Sequence, residues 1–271
     1  MNSGVMAMVQ YFKSICTSYQ RSVTQNIGIA LVAGVAWLAS SNAMAESFSF
    51  NSGDRRVALY ELFTSEGCSS CPPAEAWLAR LKQDPRLWKE IVPLAFHVDY
   101  WDYLGWKDRF AQQEYSARQY RYQAKGDIST VYTPGFVVNG HEWRGWFDRR
   151  NPDVADAPAG NLTVELKGGR VTAQYQRTDS SQHPLVLNLA LLGTGLQSKI
   201  IAGENRGRTL KQEFVVLRHV TMQSPDAHWQ LPLPSVEKVN AKRLALAVWV
   251  SRVGDQVPLQ ATGGWISRAM R

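Results

Sequence analysis

Two cysteines separated by two serines, Cys68-Ser69-Ser70-Cys71, are the residues of this chain best suited to chemistry. A thiolate is a nucleophile, and a second thiol close by can displace it from a mixed disulfide. The apolar run at 57–63, V-A-L-Y-E-L-F, reads as a buried strand and breaks at Thr64-Ser65-Glu66-Gly67. Pro72 and Pro73 then suit the first turn of a helix, where a missing N–H costs nothing. Apolar residues at Trp77, Leu78 and Leu81 continue it with helical spacing. The first cysteine is thereby placed at a helix N-terminus, whose unpaired N–H groups and dipole favour negative charge. This predicts a thiol–disulfide site, with Cys68 as the attacking thiol and Cys71 as the resolving one.

Other groups near the pair bear on that chemistry. Glu61 lies in the apolar strand; buried beneath the cysteines it would serve as a proton relay, and at a sheet edge it would face solvent. Glu66 would oppose a nearby thiolate, and Ser69-Ser70 supplies no histidine to favour one. Structural zinc needs about four ligands, and neither a second cysteine pair nor paired histidine spacing exists. A copper relay would need the two thiolates plus His97 or His141. His97, Asp99 and Asp102 could be read as a metal cluster, but a strand end under aromatic cover explains them better. No metal or other cofactor is expected beyond the disulfide itself.

The elements that would position these residues follow in order. A second apolar strand spans 91–98, with Pro93 suggesting an edge or the strand start. The loop at 99–108, D-Y-W-D-Y-L-G-W-K-D, is dense in aromatics. Tyr100, Trp101, Tyr103 and Trp106 could wall a groove for an extended polypeptide. A polar helix at 110–125 follows, with Arg118, Arg121 and Lys125 expected on a solvated face. The strands at 136–138 and 141–146 flank Asn139-Gly140, a strong hairpin signal. Residues 151–160, N-P-D-V-A-D-A-P-A-G, read as a linker. Beyond them, alternating patterns around Gly168-Gly169 and further apolar runs predict only strands.

The remaining bounds concern location and partners. Residues 27–39 form an uninterrupted apolar run, preceded by Lys13 and Arg21 and followed by Ala43-Met44-Ala45. Basic segment, short apolar core and A-x-A site read as a secretory leader over 1–45. The run is shorter than the roughly 20 residues that span a bilayer, so membrane contact is expected only transiently, during export. Cys16 leaves with the leader, and Cys68 and Cys71 remain as a pair in an oxidising compartment, periplasmic or extracellular. The net charge is +7, without the Lys/Arg runs of a nucleic-acid binder.

Three long motifs carry a resemblance. F-T-S-E-G-C-S-S-C-P-P-A-E (63–75), F-H-V-D-Y-W-D-Y-L-G-W-K-D (96–108) and V-Y-T-P-G-F-V-V-N-G (131–140) are similar to the secreted thioredoxin-like family catalogued as domain of unknown function twelve-twenty-three. G-E-N-R-G-R-T-L (203–210) is similar to that family's C-terminal segment. The resemblance implies an α/β thioredoxin-like domain, a mixed central sheet flanked by helices, over 46–150, with a helical insertion about 99–127. A small all-β, sandwich-like domain would follow over 161–271. It further implies a redox site at Cys68 and Cys71, with Thr133 and a cis Pro134 opposite.

Two functions follow as expectations. One is an exported thiol–disulfide oxidoreductase acting on protein thiols or disulfides, or on an envelope redox partner. The other is a non-catalytic envelope binding module in which the disulfide is a structural staple, although so small a loop restricts the unfolded chain little. They differ in one physical requirement: turnover needs a reachable sulfur.

Overall fold

Strand-forming residues dominate the chain, and their pairing decides its architecture. The computed structural model describes residues 46–148, 150–152, 156–178, 183–236 and 239–266. The leader read at 1–45, with Cys16, lies outside them. The described residues hold fourteen strands and two α-helices. The strands are β1 (Ser47–Asn51), β2 (Ala58–Thr64), β3 (Ile91–His97), β4 (Gly135–Val138), β5 (His141–Trp143), β6 (Asn161–Lys167) and β7 (Arg170–Gln176). They continue with β8 (Leu185–Thr194), β9 (Leu196–Lys199), β10 (Thr209–Gln212), β11 (Val215–Ser224), β12 (His228–Pro232), β13 (Arg243–Arg252) and β14 (Pro258–Trp265). The helices are α1 (Pro72–Arg80) and α2 (Gln113–Lys125). Neither is long and apolar enough to cross a membrane.

This overturns the expectation of an α/β thioredoxin-like domain followed by a separate small β domain. Strands from before and after the 151–160 segment are neighbours in one eight-stranded mixed sheet, ordered β14-β13-β8-β11-β3-β2-β4-β5. The join is a short parallel contact, Val215 against Ala95, with the Ala95 N–H donating to the Phe214 carbonyl. Two helices are too few to flank such a sheet, and β-structure takes their place. A four-stranded antiparallel sheet, β1-β6-β7-β12, covers the face presented by Leu187, Leu189, Leu246 and Val248.

The physical reason lies in β8 and β13. L-V-L-N-L-A-L-L-G-T is buried at nine of its ten positions, as a strand covered on both faces must be. Such strands cannot be the skin of a small sandwich. Their second face joins Leu59, Phe63 and Phe96 in one core with Tyr115 and Tyr122 of α2. Helix α1 covers the opposite face of β2 and β4, where Trp77 packs on Tyr60, Phe136 and Trp143. A nine-residue helix is marginal alone, so this aromatic contact holds α1, and the cysteines at its start, in place.

Candidate functional site

Strand β2 ends at Thr64, and the chain turns at once into the cysteine segment. The Cys68 N–H donates to the Ser65 carbonyl, and the Cys71 N–H to that of Cys68. Cys71 is the N-cap of α1, with Pro72 and Pro73 filling the first helical positions. Cys68 and Cys71 are joined as a disulfide. Ser69 and Ser70 face solvent, while Cys68 is 2% exposed and Cys71 0%.

A group of buried ionisable side chains lies beneath the disulfide. Glu75 stands one helical turn past Cys71, its N–H bonded to the Cys71 carbonyl. Residues at that spacing share a helix face, with Cβ atoms about 5–6 Å apart. Thr64 Oγ1 donates to Glu75 Oε1 at 2.7 Å. Burial raises the Glu75 pKa above its ordinary value, which favours the neutral carboxyl. His97 is aligned with Thr64 across the parallel β2–β3 pair, so both side chains point toward α1. Its Nδ1 lies 2.6 Å from Asp108 Oδ2. Burial opposes a charge on His97, but the Asp108 carboxylate, with Glu75 and Glu66 behind it, outweighs burial and raises the ring to about 9. Burial likewise opposes ionisation of Asp108, yet His97 and the N–H groups of Glu66 and Phe110 hold it below the carboxylate range. His97 Nε2 is buried and has no hydrogen-bond partner among the described residues.

The expected groove residues gather at this turn to different degrees. The Thr133-Pro134 peptide bond is cis. Trp101 Nε1 donates to Thr133 Oγ1 at 2.7 Å. The same residue lies against Gly67, where an added Cβ would stand 3.1 Å from Trp101 Cβ. Trp101 therefore links the proline turn to the residue before Cys68. Trp106 Nε1 donates to Glu66 Oε2 at 2.8 Å, and Gln212 Nε2 to the other oxygen at 2.9 Å. Tyr100 lies beside Trp101 with its ring tilted by 49° and donates to Gln119, while Tyr103 points outward, 78% exposed.

Glu61, the relay candidate, is on the other face of the sheet. Arg118 Nε meets its Oε2 at 2.6 Å and Nη2 its Oε1 at 3.1 Å, and Tyr122 donates to Oε1 at 2.6 Å. Arg118 is buried here and not on a solvated face. Asp99 accepts from Ser116 and Asp102 from the Asp108 N–H. No described group of three His, Cys, Asp or Glu residues is arranged to hold a metal. Sequence reasoning missed Glu75 as the acid under the pair, although C-P-P-A-E places it four residues past Cys71. It also missed Asp108 as the partner of His97, which no periodicity connects.

Fold and site together define a β-rich protein with a disulfide at a helix start, above buried acids and a histidine. Residues 59–251 match the family described as protein of unknown function (DUF1223), and the chain belongs to that family. Among solved structures it is similar to the crystal structure of a protein from Agrobacterium tumefaciens. The two are 24% identical, with a TM-score of 0.57, over 80% of this chain and 97% of that one. HBP35 of Porphyromonas gingivalis is 14% identical, with a TM-score of 0.47, over 79% of this chain and 76% of that one. A search of curated proteins finds no match.

Proposed function

We propose that this protein is an exported thiol–disulfide oxidoreductase acting on protein thiols or disulfides of the cell envelope or the exterior. Cys68 and Cys71 are its redox group. A partner thiolate attacks Cys68 Sγ, a mixed disulfide forms, and Cys71 leaves as a thiolate that takes a proton from Glu75. A second partner thiol then displaces Cys68, so that the partner is oxidised and the pair reduced. The same steps run in reverse on a partner disulfide. Thr133, Pro134, Tyr100, Trp101 and Trp106 form the wall along which the partner's chain lies. The observation that carries this reading is the buried Glu75–His97–Asp108 group under the pair. Ionisable groups with displaced pKa values concentrate at functional sites, and a packing role alone would be filled by apolar residues.

A second reading has its own observation. Both cysteines are buried, which goes against the reachable sulfur that turnover needs and suits a permanent staple in an envelope binding module. The reduction potential separates the two. The redox reading expects a value above about −300 mV, with insulin reduction by the wild type and none by Cys68→Ser. A lower potential without turnover rejects it in favour of the staple.

A further inference from the structure

A hairpin tip is bonded to the main chain of the cysteine turn. Among the described residues strands β9 and β10 pair only with each other, and their connection folds over the cysteine turn. Within it, Ile200 N–H bonds the Arg208 carbonyl and Gly207 N–H the Ile200 carbonyl, so the tip is a closed hairpin. Asn205, wholly buried, donates from Nδ2 to the carbonyls of Glu66 at 2.9 Å and Cys68 at 3.0 Å. Arg208 Nη1 holds the Asn205 Oδ1 at 2.9 Å. Glu204 Oε2 accepts the Ser69 N–H at 3.1 Å. Gly203, at φ 69°, lies against Trp106, which itself bonds Glu66. The contacts that leave the hairpin fall on Glu66, Cys68 and Ser69 of the cysteine turn and on Trp106 of the adjoining aromatic loop.

We propose that the β9–β10 ribbon is a displaceable cover for the Cys68–Cys71 pair, latched by Asn205 and Glu204, and that a partner protein reaches Cys68 only when the tip lifts. This rests on the redox reading and adds its regulation. Leu196, Leu210 and Gln212 are buried and anchor the ribbon's two strands, whereas the tip is held by the Asn205 and Glu204 bonds, so it can open while the eight-stranded sheet stays paired. The latch bonds are directed at main-chain atoms of the cysteine turn. An extended polypeptide carries the same donors and acceptors, so the arriving partner can replace the bonds it breaks.

The test is the rate at which dithiothreitol reduces the pair in the full chain. Two electrons and two protons pass to Cys68 and Cys71, and the reagent leaves as its cyclic disulfide. Free thiols are read by quenching with an alkylating agent and weighing the protein. Asn205→Ala is expected to react about tenfold faster than wild type, and Glu204→Ala by a smaller factor. Should Asn205→Ala fail to fold, Glu204→Ala, which loses one surface bond, carries the comparison alone. Equal and fast rates in all three proteins overturn the cover while leaving the redox reading intact. Equal rates too slow to follow under native conditions, with reduction only on unfolding, overturn both.

Discussion

Strand β2 carries a buried ionic group on each face, and the two are built differently. On the α2 face every charged atom is answered. Both oxygens of Glu61 are bonded by Arg118 and Tyr122, and the guanidinium lies among the rings of Phe96, Tyr122 and Trp249. On the α1 face the accounts do not close. Glu75 has Thr64 alone as a side-chain hydrogen-bond partner among the described residues, and His97 Nε2 has none. Three buried acids, Glu66, Glu75 and Asp108, stand around one histidine. A satisfied buried network fixes a structure, whereas an unsatisfied one is costly and persists where another role requires it. The satisfied group lies away from the cysteines and the unsatisfied one beneath them.

The largest expected effect tests the satisfied side. Glu61→Ala strands the Arg118 charge in the core and should destabilise the protein by about 3–5 kcal/mol, read as a drop in the urea midpoint. Replacing both partners, Glu61→Met with Arg118→Met, should recover most of that loss. A double variant as unstable as the single one would show that the cluster does more than neutralise itself.

On the other face the next effect is a pH dependence. The His97 pKa is raised to about 9 in the folded chain from an unfolded value near 6.5. Its contribution is thus fully present below about pH 6.5 and lost as the pH rises through 9, a loss on the order of 3 kcal/mol. Asp108 has the opposite sign: its pKa is lowered, so its contribution is present above the ordinary carboxylate range and fades in acid. Urea unfolding at pH 6 and pH 9.5 measures the alkaline fall, and Asp108→Asn should flatten it. A wild type equally stable at both would break the contrast, because the α1-face histidine would then be as inert as Arg118.

What the sequence disclosed follows the same division between local and distant. Asn139-Gly140 and Gly168-Gly169 announced their hairpins because each pair adopts positive φ, which few residues accept. The strand, cysteine pair and helix were legible for the same local reason. Pairing between distant strands was not. Pro93 suggested an edge or a strand start, yet it is the third residue of β3, which lies between β2 and β11. It is accommodated because β11 meets β3 only near Ala95, beyond the missing N–H. S-F-S-F-N at β1 has too few apolar residues to mark a strand by itself, although Phe48 and Phe50 pack against the sandwich core. The Arg118–Glu61 pair spans 57 residues, and a helix of low hydrophobicity gave no sign that one of its arginines turns inward.

The disulfide itself supplies a smaller effect. Closing a four-residue loop restricts the unfolded chain by about 2 kcal/mol, so Cys71→Ser should lower stability by no more than that in urea titration. A loss comparable to that of Glu61→Ala would move the disulfide to the structural side of the comparison and favour the staple.

The smallest effect discriminates most sharply. Glu75→Gln keeps the size of the side chain and an acceptor for Thr64. Because burial already favours the neutral carboxyl of Glu75, the substitution should alter stability at neutral pH by less than about 1 kcal/mol. Glu61→Gln, an equally conservative change, should be far more damaging, because it removes a charge that Arg118 needs. If Glu75 exchanges a proton with Cys71, the midpoint potential of the pair should depend on pH differently in Glu75→Gln and wild type. The Glu61 variants should follow the wild-type curve wherever they remain folded. Identical curves for wild type and Glu75→Gln would remove Glu75 from the chemistry and leave it as a second, imperfect structural acid.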